Sequence, residues 1–199
     1  MAIDLDPGNV LQWTKEGRVY HAYTGTLTTP EAAGATTLVR QTPGFFIRVP
    51  AGVVIVPIMS LFAPEATGAA VMEVLVSSAN NDCGTGNSVA VTPINQNTKL
   101  ALVQSKVLAY GTNSGVTGTA PTGVADLFRH YQQVDNDAIT GSPTPPIIYR
   151  PLQGIGTAAV IGQSSGISSY LTYFVNGTSS TWFTIHTWAE FTYDEFYAA

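Results

Sequence analysis

Trp182-Phe183-Thr184-Ile185-His186-Thr187-Trp188-Ala189-Glu190-Phe191-Thr192-Tyr193 reads with a period of two. One set is Trp182, Thr184, His186, Trp188, Glu190 and Thr192; the other is Phe183, Ile185, Thr187, Ala189, Phe191 and Tyr193. Both sets carry large aromatics, whereas a strand with one wetted face is apolar on one side only. The segment therefore predicts a strand covered on both faces. It lies between two packed layers, meets another subunit, or offers Trp182 or Trp188 as a stacking surface for a sugar ring. All of these readings make it β.

Working back from that strand, Tyr170–Val175 precedes it, and Asn176-Gly177 between the two predicts a hairpin turn, lengthened by Thr178-Ser179-Ser180. The same pattern recurs upstream. Val53–Phe62, interrupted at Pro57, and Ala70–Ser77 flank Pro64-Glu65-Ala66-Thr67-Gly68, which predicts a second hairpin. Pro57 lacks a backbone donor, so its strand is expected to be an edge, bulged or broken there. Val19–Thr24, Phe45–Val49, Val89–Ile94, Lys99–Tyr110, Ile147–Arg150 and Thr157–Gly162 supply further apolar runs between turn residues. Short strands with frequent punctuation predict an all-β, antiparallel β-sandwich. One helix is expected where Thr122 precedes Val124, Leu127, Phe128 and Tyr131 at helical spacing. Thr29-Pro30-Glu31-Ala32-Ala33 predicts a shorter helical turn. Gly111–Gly123 and Gly141–Pro146 read as long loops, functional or held by a neighbour.

Residues 1–17 read as an N-terminal arm ahead of a single β-sandwich domain over 18–199. The arm's apolar residues, Ile3, Leu5, Val10, Leu11 and Trp13, stand beside Pro7-Gly8, which resist regular structure. The arm either docks on a partner or folds back on its own domain.

Composition narrows the function. The 199 residues are 45% hydrophobic but only 11% charged, with a net charge of −5, so disorder is excluded. The basic residues are scattered, which argues against nucleic acid as a partner. No apolar run approaches the ~18 residues of a membrane span. Residues 1–9 show no basic leader, so a product made in the cytoplasm is expected. The single Cys83 forms no internal disulfide.

Catalytic parts are sparse. His21, His130 and His186 lie in separate segments without metal-ligand spacing. Asp126 and His130 share a side of the expected helix, where a surface pair is the plainer reading than an acid–base pair. Asn80–Asn87 gathers oxygen side chains suited to calcium but only one carboxylate, Asp82, so it reads as a turn. These observations predict no enzyme, cofactor or metal.

The start Met1-Ala2-Ile3-Asp4, the low charge, the Thr/Gly/Ser-rich loops and the aromatic strand Trp182–Tyr193 together resemble small jelly-roll decoration (cement) proteins of tailed-bacteriophage capsids. The resemblance implies a jelly roll, commonly a homotrimer, bound to the major capsid protein on the outer surface of the virion and stabilising the shell. It implies no catalytic residues, membrane or nucleic acid. The expected contact residues are Ile3, Leu5, Val10, Leu11, Trp13, Trp182, Trp188, Phe191 and Tyr193. A carbohydrate- or receptor-binding β-sandwich of a tail, fibre or spike is the alternative.

Overall fold

The computed structural model describes residues 5–25, 31–32, 37–66, 70–83, 88–100, 103–112, 118–134, 145–153, 158–176 and 180–197. Its strands are β1 (Val19–Thr24), β2 (Glu31–Ala32), β3 (Phe45–Val49), β4 (Val53–Ala66), β5 (Ala70–Ala79), β6 (Ser88–Val91) and β7 (Ile94–Asn95). They continue with β8 (Leu108–Thr112), β9 (Ala125–Val134), β10 (Ile147–Tyr149), β11 (Ile161–Gly162), β12 (Ser168–Asn176) and β13 (Ser180–Thr192). Helices α1 (Val10–Lys15) and α2 (Tyr193–Tyr197) stand before β1 and after β13.

All pairings are antiparallel, in two sheets: β10-β4-β13-β1-β7, joined at its sides by β2 and β11, and β6-β8-β3-β12-β5-β9. The pairings are nested along the chain. β1 lies on β13, β3 on β12, β4 on β10 and β5 on β9. Laid flat, these pairs would make one long double ribbon. The ribbon is rolled so that β4 also meets β13 and β5 also meets β12, which is the topology of a jelly roll. The expected all-β sandwich is the observed fold.

Rolling overturns both predicted hairpins. β4 and β5 are consecutive but belong to opposite sheets, as do β12 and β13. The turn residues 67–69 and 177–179 lie outside the described residues. β12 and β13 meet across the layers instead, where buried Phe174 stacks on buried Trp182 with ring centroids 5.3 Å apart. Turn chemistry in sequence marks a reversal of direction, but it does not decide between pairing beside the previous strand and packing over it. The break expected at Pro57 is present as a bulge, where the register against β13 shifts between Thr187 and Trp188.

The expected helix at Val124–Tyr131 is also overturned. Residues 125–134 form β9 and pair with β5 from Ala70 to Ser78, with a register shift that leaves Leu127 as the extra residue. The helical spacing of Val124, Leu127, Phe128 and Tyr131 is outweighed by this ladder, and Phe128 and Tyr131 suit a pleated strand. Thr122 caps no helix; its carbonyl accepts from the Asn80 N–H at 2.8 Å. Glu31 and Ala32 are not helical either, since they pair with Trp182 and Thr181 of β13.

Neither helix lies where one was expected. The Asp6 carboxylate accepts the Gly8 N–H at 2.7 Å and starts a 3₁₀ turn over Pro7–Asn9, which leads into α1. Proline suits a first turn because its missing donor is not needed there. α2 begins with a capping box: Thr192 Oγ1 accepts from the Glu195 N–H and Glu195 Oε2 accepts from the Thr192 N–H.

Candidate interaction face

β13 runs through the centre of its sheet, between β4 and β1. Its even-numbered residues turn into the sandwich: Trp182, Thr184, His186, Trp188 and Glu190 are all buried. A polar chain lies among them. Tyr170 and Ser60 share a hydrogen bond at 2.6 Å, His186 Nδ1 meets Ser60 Oγ at 3.0 Å, and His186 Nε2 meets Thr184 Oγ1 at 3.1 Å. Thr24 extends it through Thr184 at 2.8 Å. Burial pushes His186 down to about 3, so it is a neutral imidazole inside the core. A buried polar chain with its members bonded to one another links the two layers without exposing a nucleophile.

At the other end of the strand, Glu190 ties down the segment between β7 and β8. Its carboxylate accepts from Ser105 Oγ at 2.5 Å, the Lys106 N–H at 2.8 Å and Trp188 Nε1 at 2.9 Å. Burial raises its pKa in spite of these bonds. Beside it, a cleft of about 550 Å³ is lined by Val91, Ile94, Asn95, Gln104, Ser105 and Leu108, among others.

The odd-numbered residues of β13 face outward, and their surroundings differ along the strand. Ala189 and Phe191 are covered. Together with Val19 and Val56 they pack beneath Trp13 of α1 and Leu152, with Leu5, Val10, Ile58 and Phe196 around them. Trp13 meets Phe191 edge-on at 5.4 Å. Arg18 clamps the cover: it bonds Glu195 through both terminal nitrogens, bonds Glu16 at 2.7 Å, and lies 5.2 Å over the Phe191 ring.

Thr187, Ile185 and Phe183 have no such cover among the described residues. The pairing register sets them in rows. One row is Ile94, His21, Thr187 and Met59; the next is Tyr23, Ile185, Leu61 and Ile148; Phe183 and Ala63 follow. Tyr23 is 45% exposed, Ile94 42% and Ile148 40%, with the central members half-buried. None of these side chains is charged; His21 is bonded to Gln96 and held neutral by partial burial, which lowers its pKa. From strand and pleat spacings the rows span roughly 400 Å², the size of the largest apolar patch on a typical soluble monomer, which is often functional.

The outer face of the second sheet is occupied by the chain itself. Phe46, Leu75, Leu171 and Tyr173 are buried there with Cys83, beneath Leu38 and Tyr110. Tyr173 Oη donates to the Arg40 carbonyl at 2.9 Å, and Arg40 pairs with both Asp126 oxygens at 2.8 Å. The described part of the long loop expected over Gly111–Gly123 is held by neighbours: the Gly118 N–H donates to Gln41 O and the Thr119 N–H to Cys83 O. A side chain at Gly118 would bring its Cβ within 2.1 Å of the Cys83 carbonyl oxygen, so the approach requires glycine.

The sequence-nominated contact residues separate into distinct environments. Trp182, Trp188, Phe191 and Trp13 are core, at 0%, 1%, 3% and 5% exposure, and their ring faces are taken up by the chain's own packing. Of the readings open for this strand, Trp182 and Trp188 take the packed one and are offered neither to a subunit nor to a sugar ring, since both lie inside the sandwich. Leu5 and Val10 pack under the same cover, while Leu11 points away at 64% exposure. Tyr193 is half-buried against Tyr197, centroids 4.6 Å apart. Ile3 lies outside the described residues. The residues that sequence reading missed, Tyr23, Leu61, Ile148 and Ile185, are spread over separate strands and become one surface only through the register.

The polar candidates are engaged locally. Asp82 pairs with Arg48 at 2.8 Å, and Asn81 bonds Thr122 and Ala120. Asp126 meets Arg40 and Ser77, and His130 stacks beside Phe128 rather than facing an acid. Among the described residues no group of His, Cys, Asp and Glu is placed to hold a metal ion. No described helix is long and apolar enough to cross a membrane. No family model matches the chain, and neither the curated proteins nor the solved structures hold a match to it.

Proposed function

We propose that this chain is a structural virion protein, a decoration or cement protein that binds the major capsid protein and stabilises the shell. The observation that carries the reading is the outer face around Tyr23, Ile185, Leu61 and Ile148, whose rows hold no charged side chain and have no cover among the described residues, whereas the C-terminal half of β13 lies beneath α1. A rigid jelly roll with one open apolar face is suited to passive docking, since little order has to be created when it binds. Repeated on a shell, modest contacts of this kind add through effective concentration. The glycan-binding alternative calls for exposed indole rings, and Trp182 and Trp188 lie inside the sandwich.

Quantitative mass spectrometry of purified particles tests the reading. The chain is expected in a fixed whole-number ratio to the shell protein, retained through washing in high salt because the face is apolar. Its absence from particles, or a trace amount that varies between preparations, overturns it.

A further inference from the structure

The two sheets end very differently at their edges. In the first, β7 has 2 residues and β10 has 3, and the side strands β2 and β11 have 2 each. In the second, β6 has 4 residues. Prolines stand at several of these ends: Pro93 before β7, Pro145 and Pro146 before β10, and Pro151 soon after it. Short strands and prolines are how soluble β proteins keep a sheet edge from recruiting another strand. β9 is the exception. It runs for 10 residues at the margin of the second sheet, and its sequence contains no proline, glycine or lysine. Past the bulge at Leu127 its ladder with β5 is regular from Phe128 to Val134, and no other described strand pairs with it.

We infer that the β9 edge pairs antiparallel with β9 of a second copy of this chain, joining two six-stranded sheets across a two-fold axis near His130. Side-chain chemistry favours a copy as the occupant. With the axis at His130, Arg129 lies opposite Tyr131 of the second copy and Phe128 opposite Gln132, so no charge meets its like. Arg129 already lies 5.2 Å over the Tyr131 ring of its own strand and bonds Glu73 at 2.5 Å, so a second ring extends a contact the surface already makes. Residues of the same parity meet, which keeps Arg129 and Tyr131 of both copies on one face of the joined sheet. The contact is isologous and closes on itself, so it forms a pair rather than a fibre. It uses a surface separate from the docking face, and either can fail without the other.

Light scattering over a dilution series tests it. Twice the 21.0 kDa chain mass is expected at high concentration and the single mass on dilution. Tyr131→Lys, at a position 57% exposed, sets an ammonium beside Arg129 of the other copy. It is expected to weaken pairing at least tenfold while leaving the thermal midpoint of the dilute protein unchanged. Hydrogen exchange on the unaltered protein gives a second readout: β9 amides gain protection as concentration rises. A single mass at every concentration, a trimer, β9 exchange independent of concentration, or a pair that survives Tyr131→Lys but is lost in Ile185→Asp, overturns the inference.

Discussion

The two halves of β13 share an interior and differ in what lies outside. From Trp188 to Thr192 the strand is held on both sides, by Glu190 tied to Ser105 and Lys106 within and by Trp13 over Phe191 without. From Trp182 to Thr187 the described residues hold it from within only, and its outward residues join an uncharged face with no cover among them. The same period of two runs through both halves. What differs is whether the chain spends a helix to cover the outward row. Covering one half and leaving the other bare separates the part of the strand that stabilises the fold from the part free to meet a partner.

Removing the cover should have the largest effect. Trp13→Ala is expected to cost about 3–5 kcal/mol, read as a lower urea midpoint with an unchanged slope, because it empties the space over Phe191, Val19 and Val56. A midpoint equal to that of the parent would mean that α1 is not part of the core. Next comes the polar chain inside the bare half. Ser60→Ala takes the partner from the Tyr170 hydroxyl and from His186 Nδ1, while His186 Nε2 keeps Thr184, and is expected to cost about 1–3 kcal/mol. Little or no loss would show that the chain tolerates a gap.

Glu190 gives a smaller effect with a definite sign. Burial raises its pKa in the folded state, so the folded protein holds this proton more tightly than the unfolded chain. Its contribution is fully present below the unfolded value of 4.5 and is lost as pH rises through the higher folded value. The stability of the parent relative to Glu190→Gln should therefore be greatest in acid and shrink as pH rises toward neutrality. The lowered pKa of Glu195, held by Arg18, works in the opposite direction, losing stability as pH falls through its folded value, but it is common to both proteins and cancels. A gap that widens with rising pH would reverse the assignment. Smallest of all should be Ile185→Asp, about 1 kcal/mol in urea, the strand preference given up at a half-buried position that borders solvent. A large loss there would show that the face is covered after all.

The double-sided aromatic pattern of Trp182–Tyr193 made β13 legible as a strand covered on both faces, and the missing donor of Pro57 marked the place of an edge, bulge or break, of which the bulge is observed. What stayed hidden is what depends on partners far along the chain. The stretches 64–68 and 176–180 carry the turn residues of hairpins, yet the strands they join lie in opposite sheets, and for β12 and β13 the contact that rewards this is Phe174 against Trp182 across the layers. β9 carries helical spacing that only its ladder with β5 overrides. α1 was concealed behind Pro7-Gly8, although Asp6 and Pro7 are both residues that start helical turns. The bare face could not be read at all, because Tyr23, Leu61, Ile148 and Ile185 become neighbours only through strand register.

Cosedimentation with shells stripped of this chain tests the docking face most directly. The unaltered protein is expected to pellet with the shells to saturation, and Tyr23→Asp combined with Ile185→Asp, still folded in urea titration, to stay in the supernatant. Equal pelleting of the two proteins would contradict the assignment of this face.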